Sequence, residues 1–233
     1  MRCAIMQPTF FPWSGYFSLI NEVDKFVFLD DAQFSKGSWH NRNRIFLAKK
    51  VCWLTLPIKK GNLSTPLNKI EIINQNILKN RINIQIEEAY KNYKYFSCIL
   101  EIINFLTKIE NNSLSEINIS IIKFLSLKLG INNVQFIKSS DLNIKGKRTE
   151  KVINILNEIS ASKYISPPSA KEYLSQDNYD LNTNIPISFI DYNQKKYSQK
   201  NTLNFISNLS IIDVIANIGW SETSDYVKLN DLQ

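Results

Sequence analysis

Cysteine and histidine are scarce in this chain. Its 233 residues include three cysteines, Cys3, Cys52 and Cys98, far apart and odd in number, and one histidine, His40. Without a Cys-x-x-Cys pair or a second histidine, the close ligand spacing of a structural zinc site is missing. Long apolar runs are missing too: none approaches the roughly 18 residues a membrane span requires. The apolar part of the first eight residues is too short for a signal peptide. These absences point to a cytoplasmic protein with reduced thiols. Long basic runs are likewise absent, with lysine and arginine scattered among asparagine and isoleucine.

The chain is 44% hydrophobic, 21% charged and 12% aromatic, which excludes a disordered, collagen-like or coiled-coil protein. Its length favours one large domain carrying an insertion over a string of modules. Lys+Arg 28 against Asp+Glu 21 leaves +7, a mild preference for an anionic partner such as a nucleotide, nucleotide-sugar, nucleic acid or membrane surface.

Along the chain, Cys3 to Met6 is a short apolar run cut off by Gln7-Pro8, which suits a buried strand. After a loop, Tyr16, Leu19, Ile20 and Val23 repeat at helical spacing, and Phe26 to Leu29 reads as a second strand. Strands so connected are mostly parallel, and ligands of such sheets lie beyond the carboxyl ends, here near Gln7 to Gly15 and Asp30 to Phe34. Arg44 to Ala48 and Val51 to Leu56 read as a hairpin turning at Lys49-Lys50. Three helices are expected between about 75 and 130, then a strand at Asn133 to Lys138 and a polar loop at Ser139 to Asp141. A helix over Thr149 to Ser160, a strand at Lys163 to Ser166, a short helix over Ser169 to Leu174 and a strand at Ile187 to Tyr192 follow. A last helix over Leu209 to Ile218 ends at Gly219. The expected fold is α/β: a Rossmann-like parallel sheet with flanking helices in a single domain over 1–233, with a helical insertion at about 75–130.

Several residues could carry chemistry. The segment from Gln7 and Pro8 through Phe11, Trp13, Gly15 and Tyr16 leaves a strand and opens a helix, so its backbone N–H groups could bind a phosphate; a packed aromatic turn is the equal alternative. Asp30 and Asp31 could hold a ribose hydroxyl or Mg²⁺, with Gln33 facing the same crevice, or simply form a turn. Trp39 to Arg44 packs a ring, two guanidinium groups and two amides, Asn41 and Asn43, into six residues. That is a kit for stacking a base and clamping a phosphate or carboxylate with Arg42 and Arg44. His40 within it is the one side chain whose ordinary pKa lies near neutrality. Ser139 to Arg148 precedes a helix and could neutralise phosphate, or be a solvated loop. Ser166 and Lys171 flank a Pro-Pro break where an anion could sit.

Five blocks in one order, spanning nearly the whole chain, resemble the WbqC-like family of bacterial surface-polysaccharide clusters. They run Ala4 to Tyr16, Val23 to Phe34, Asn41 to Ile45, Tyr164 to Tyr173 and Leu209 to Gly219; the family usually has glycine where Pro167 stands. The resemblance implies a cytoplasmic role in making O-antigen or related glycans, and transfer of an amino-acid-derived acyl group, glycine in particular, to an amino sugar. More distantly, the start is similar to pantothenate synthetase and other nucleotidylyltransferases, whose His-x-Gly-His motif falls on Trp13-Ser-Gly-Tyr16 and whose Gln-Phe pair falls on Gln33-Phe34. Both histidines are replaced by aromatic residues.

The expected activity is acyl or aminoacyl transfer to a nucleotide-linked amino sugar. His40 or Asp31 would be the base, Asn41 and Arg42 the substrate and oxyanion contacts, and Arg44 and Lys171 the anion binders. ATP with Mg stays open as a cofactor, and a thioester or charged tRNA as donor; other nucleic acid is not expected, since no basic cluster stands out. The alternatives are a glycosyltransferase or other nucleotide-sugar modifier with Asp30-Asp31 on metal, and a non-catalytic nucleotide-sugar-binding protein of the same pathway.

Overall fold

A computed structural model describes residues 1–59 and 64–228. Its centre is a five-stranded sheet in the order β5-β2-β1-β6-β7, formed by β1 (Arg2–Met6), β2 (Lys25–Phe28), β5 (Gln135–Lys138), β6 (Lys163–Ser166) and β7 (Ile187–Phe189). Every pairing in it is parallel. Parallel sheets need both faces covered, and the inner strands show it. Ala4, Phe26 and Phe28 belong to one apolar cluster, while Cys3, Ile5 and Val27 belong to the other. That split is the period-2 alternation of a pleated strand.

The first face is covered by α1 (Ser14–Asn21), by α2 (Asn83–Tyr90), α3 (Phe96–Thr107) and α4 (Leu114–Lys128), and by α8 (Ile211–Val227). The second carries α5 (Arg148–Glu158), α6 (Lys171–Gln176) and α7 (Tyr179–Asn182). This is the expected Rossmann-like α/β architecture. Outside the main sheet, β3 (Arg42–Leu47) and β4 (Lys50–Thr55) form a separate antiparallel hairpin.

Several local readings are corrected. The hairpin turns at Ala48-Lys49, not Lys49-Lys50: Ala48 and Lys49 have φ of 51° and 61°, and Lys50 already pairs with Leu47. Two successive positive φ values suit the right-handed twist of the strands, and that requirement overrides side-chain preference. Ser139–Leu142 is a 3-10 turn with Ser139 buried, since Asp30 holds it from below. The helix from Ile211 is interrupted at Gly219, at φ 77° and ψ 178°, where the stop was expected, but a second helical stretch that was not foreseen follows to Val227. The last sheet strand stops at Phe189, and α7, too short to show a periodicity, went unforeseen.

Candidate functional site

The strand order reverses at β1, which has β2 on one side and β6 on the other. In open α/β sheets the crevice beyond the carboxyl ends at such a point is where ligands bind. The carboxyl end of β1 leads into Gln7, Pro8 and the loop to α1.

That loop is held from several sides. Asn43 Nδ2 donates to the carbonyls of Phe10 (3.1 Å) and Phe11 (2.7 Å), the latter also accepting from Ser210 Oγ at 2.9 Å. Phe11 itself stands at φ 44°. Asn118 Nδ2, from α4, donates to the carbonyls of Pro8 (3.1 Å) and His40 (2.8 Å). Tyr16, buried in the core, donates its hydroxyl to the Gln7 carbonyl at 3.1 Å. The amino end of α1 is covered by rings: a Cβ on Gly15 would stand 2.5 Å from the Trp13 indole. Tyr192 meets Trp13 edge-on at 5.2 Å and donates to Ser14 Oγ at 2.9 Å.

This arrangement tests the adenylating-enzyme analogy. The two positions where that family carries phosphate-binding histidines hold an indole packed on Gly15 and a phenol buried against Gln7. Neither offers an imidazole-like cation, so the residues present do not fit ATP bound in that way.

His40 adjoins the end of β1. Its Nε2 lies 2.8 Å from Gln7 Oε1, so with the Gln7 oxygen turned inward Nε2 carries the proton and Nδ1 keeps the lone pair. Nδ1 is buried and has no hydrogen-bond partner among the described residues. Burial pushes the imidazole pKa down to about 4, so the ring is neutral at pH 7. Phe34 lies over it, ring centroids 5.6 Å apart.

The adjacent aspartates divide. Asp30 is buried, its carboxylate accepting from Ser140 N (3.0 Å) and Ser140 Oγ (2.7 Å), with Ser139 Oγ 3.1 Å away. Asp31 takes Ser139 Oγ at 2.6 Å and ion-pairs with Lys151 at 2.5 Å. Gln33 is exposed one turn further on, bridged to Pro66.

On the hairpin, Arg42 bonds the Gly37 carbonyl and lies 4.2 Å above the Trp53 ring. Arg44 donates to the carbonyls of Asn208 (2.9 Å) and Ser207 (3.3 Å), and Asn41 to that of Leu56 (3.0 Å). At the other edge, Ser166 is buried against the Tyr164 hydroxyl, and exposed Lys171 lies 5.9 Å over Phe189.

Most of the foreseen residues therefore fall into four groups: Gln7, Pro8, Phe11 and Tyr16 with His40 and Asn43; Asp30 and Asp31 with Ser139; Arg42 and Arg44 with Trp39 and Trp53 on the hairpin; and Ser166 near Lys171. Asn118, Lys151 and Trp53 were missed. Asn118 sits in a helical stretch with no motif, and its polar type amid isoleucines was the available signal.

Residues 7–225 match the family model described as the WbqC-like protein family. A Mycobacterium tuberculosis protein named "Uncharacterized protein Rv1507c" is 29% identical over 232 residues, covering 97% of each chain. No solved structure matches.

Proposed function

The chain belongs to the WbqC-like protein family, and from that premise we propose that it transfers an acyl group, glycyl in the simplest case, to the amine of a nucleotide-linked amino sugar during cytoplasmic assembly of a surface glycan. The observation that carries this reading is His40. Amide formation needs a base for the amine proton, and the imidazole beside the end of β1 has an unclaimed Nδ1 lone pair; burial that weakens it as a base in the free chain would be relieved as substrate opens the pocket. Nδ1 is buried in the free chain, so the amine would reach it by displacing a neighbouring side chain. The oxyanion and anion roles expected of Arg42, Asn41 and Arg44 find little support, because Arg42 and Arg44 are held on the outer face of the hairpin by main-chain carbonyls and the Asn41 amide donates to Leu56; Lys171 would stand toward anionic groups of the substrate.

The aromatic replacement of both synthetase histidines supports a donor that arrives activated, as a thioester or aminoacyl ester, over free acid with ATP. The metal-dependent alternative finds little support, because Asp30 is spent on Ser139 and Ser140 and Asp31 on Lys151.

The test is incubation of purified protein with a nucleotide-linked amino sugar and, in parallel, glycine with Mg-ATP, a glycyl thioester or glycyl-tRNA, read by mass spectrometry. A glycyl amide in an activated-donor tube is the expected result. Adduct formed with Mg-ATP alone would overturn the donor assignment, and none in any tube would overturn the transfer reading for that sugar. Replacing His40 by Ala should cost about 100-fold or more in rate; a loss within threefold would remove His40 from the chemistry.

A further inference from the structure

The positive charge of this chain is not evenly spread. Eight lysines and arginines stand between Asp31 and Glu71 without one carboxylate among them. Outside that segment 20 cations face 21 carboxylates, so the whole net charge of +7 resides in it. A search for basic runs misses this excess, because it is made by missing carboxylates and not by adjacent lysines.

The hairpin displays part of this segment together with two exposed indoles. Trp39 and Trp53 are 45% and 44% exposed, unusual for the largest apolar side chain, and their rings lie 5.4 Å apart at 44°. Arg44 is directly opposite Trp53 in the β3–β4 register, and Arg42 is its diagonal neighbour on the same face. Arg42 stacks on Trp53 at 4.2 Å, and Arg44 lies 5.8 Å from Trp39. Main-chain carbonyls hold both guanidinium groups, and neither has a carboxylate partner among the described residues, so their charge stays unneutralised and their positions are fixed before any ligand arrives. Exposed Lys49 and Lys50 extend the charge to the hairpin tip.

Five residue steps separate Arg42 from Leu47, where the turn carrying Lys49 begins, so the cations from Arg42 to the tip span about 17 Å at the rise of an antiparallel strand; Lys50, paired with Leu47, projects from the other face. That spans about five steps of a stacked nucleotide strand, well beyond the diphosphate of one nucleotide. Paired bases in a duplex hide the faces an indole would stack on; single strands present them. We propose that the outer face of the β3–β4 hairpin binds a single-stranded nucleic acid, its bases stacking on Trp39 and Trp53 and its phosphates following Arg42, Arg44 and Lys49 at the tip.

The test is fluorescence anisotropy of a labelled oligouridylate with the full chain, in the absence of sugar and acyl donor, so the outcome is independent of the transfer reading. With about three phosphates neutralised, affinity should fall about 20-fold between 50 and 200 mM salt. Trp53→Ala should weaken binding at least about fivefold and Trp53→Phe much less, since stacking is what the indole supplies. Lys49→Glu should flatten the salt dependence by about 0.7 log–log unit, a readout that does not rest on the tryptophan. The proposal is overturned by absence of saturable binding at low salt, by equal affinity for a duplex, by uridine diphosphate competing at concentrations equal to the strand, or by all three variants binding as the parent does.

Discussion

Asn118 donates both amide protons to main-chain carbonyls that belong to different parts of the chain, Pro8 after β1 and His40 before β3. All the atoms concerned are buried, so truncation leaves two carbonyls without a donor and without water. Asn118→Ala should cost about 2–5 kcal/mol, each unpaired group contributing about 1–3. Asn118→Asp at pH 8 should cost more, because a carboxylate would face two carbonyl oxygens. Urea titration of the three proteins checks the order Asn, Ala, Asp, and an aspartate variant as stable as alanine would contradict the geometry. Residue types in the His40 to Arg44 stretch were legible as polar recognition chemistry, but not their partners. Asn43 reads as a ligand contact, whereas the structure places its amide on the Phe10 and Phe11 carbonyls, more than 30 positions away. Local sequence carries donor and acceptor capacity; which distant carbonyl uses it is decided by the fold.

At the level of elements, the alternation in β1 and β2 and the helical spacings were strong enough to place most of the sheet and its helices. What failed were positions where backbone conformation, not pattern, decides. Gly219 looks like a helix stop, and its φ of 77° with ψ of 178° does break the helix, yet apolar packing resumes beyond it. That backbone region is open to glycine almost alone, and a Cβ would also meet the Tyr95 ring at 2.7 Å. Gly219→Ala should therefore lose about 2–4 kcal/mol, seen as a lower denaturation midpoint with an unchanged slope. The hairpin offers the opposite change. Ala48 is held at φ 51°, where a β-carbon costs about 1 kcal/mol and asparagine is better tolerated. Ala48→Asn should raise stability by up to about 1 kcal/mol, seen as a higher midpoint; a loss would show that Ala48 makes a contact its exposed position does not reveal.

Across the whole molecule, two buried titratable groups pull stability in opposite directions with pH. His40 has a folded-state pKa of about 4 against 6.5 when free, because burial opposes its charge. The unfolded chain takes up that proton first, so stability is intact above about pH 6.5 and is lost as pH falls toward 4. Asp213 lies within α8, 1% exposed, among the hydroxyls of Tyr197 (2.7 Å) and Tyr90 (3.3 Å) with no cation beside it. Burial raises its pKa from 3.8 to about 6, so the folded chain takes up this proton first and stability rises as pH falls from 6 toward 3.8. The shifts are of similar size, about 3 kcal/mol each at their limits, and their windows overlap, so their contributions largely offset between pH 4 and 6. Removing one exposes the other. His40→Gln eliminates the acid-sensitive member, so on going from pH 7 to 4.5 the variant should gain about 2 kcal/mol relative to the parent. Urea unfolding of both proteins at the two pH values measures this difference, in which any pH-independent effect of the substitution cancels. Parallel shifts in parent and variant would mean that His40 is not held neutral by burial, and would remove the unclaimed lone pair on which the acyl-transfer reading rests.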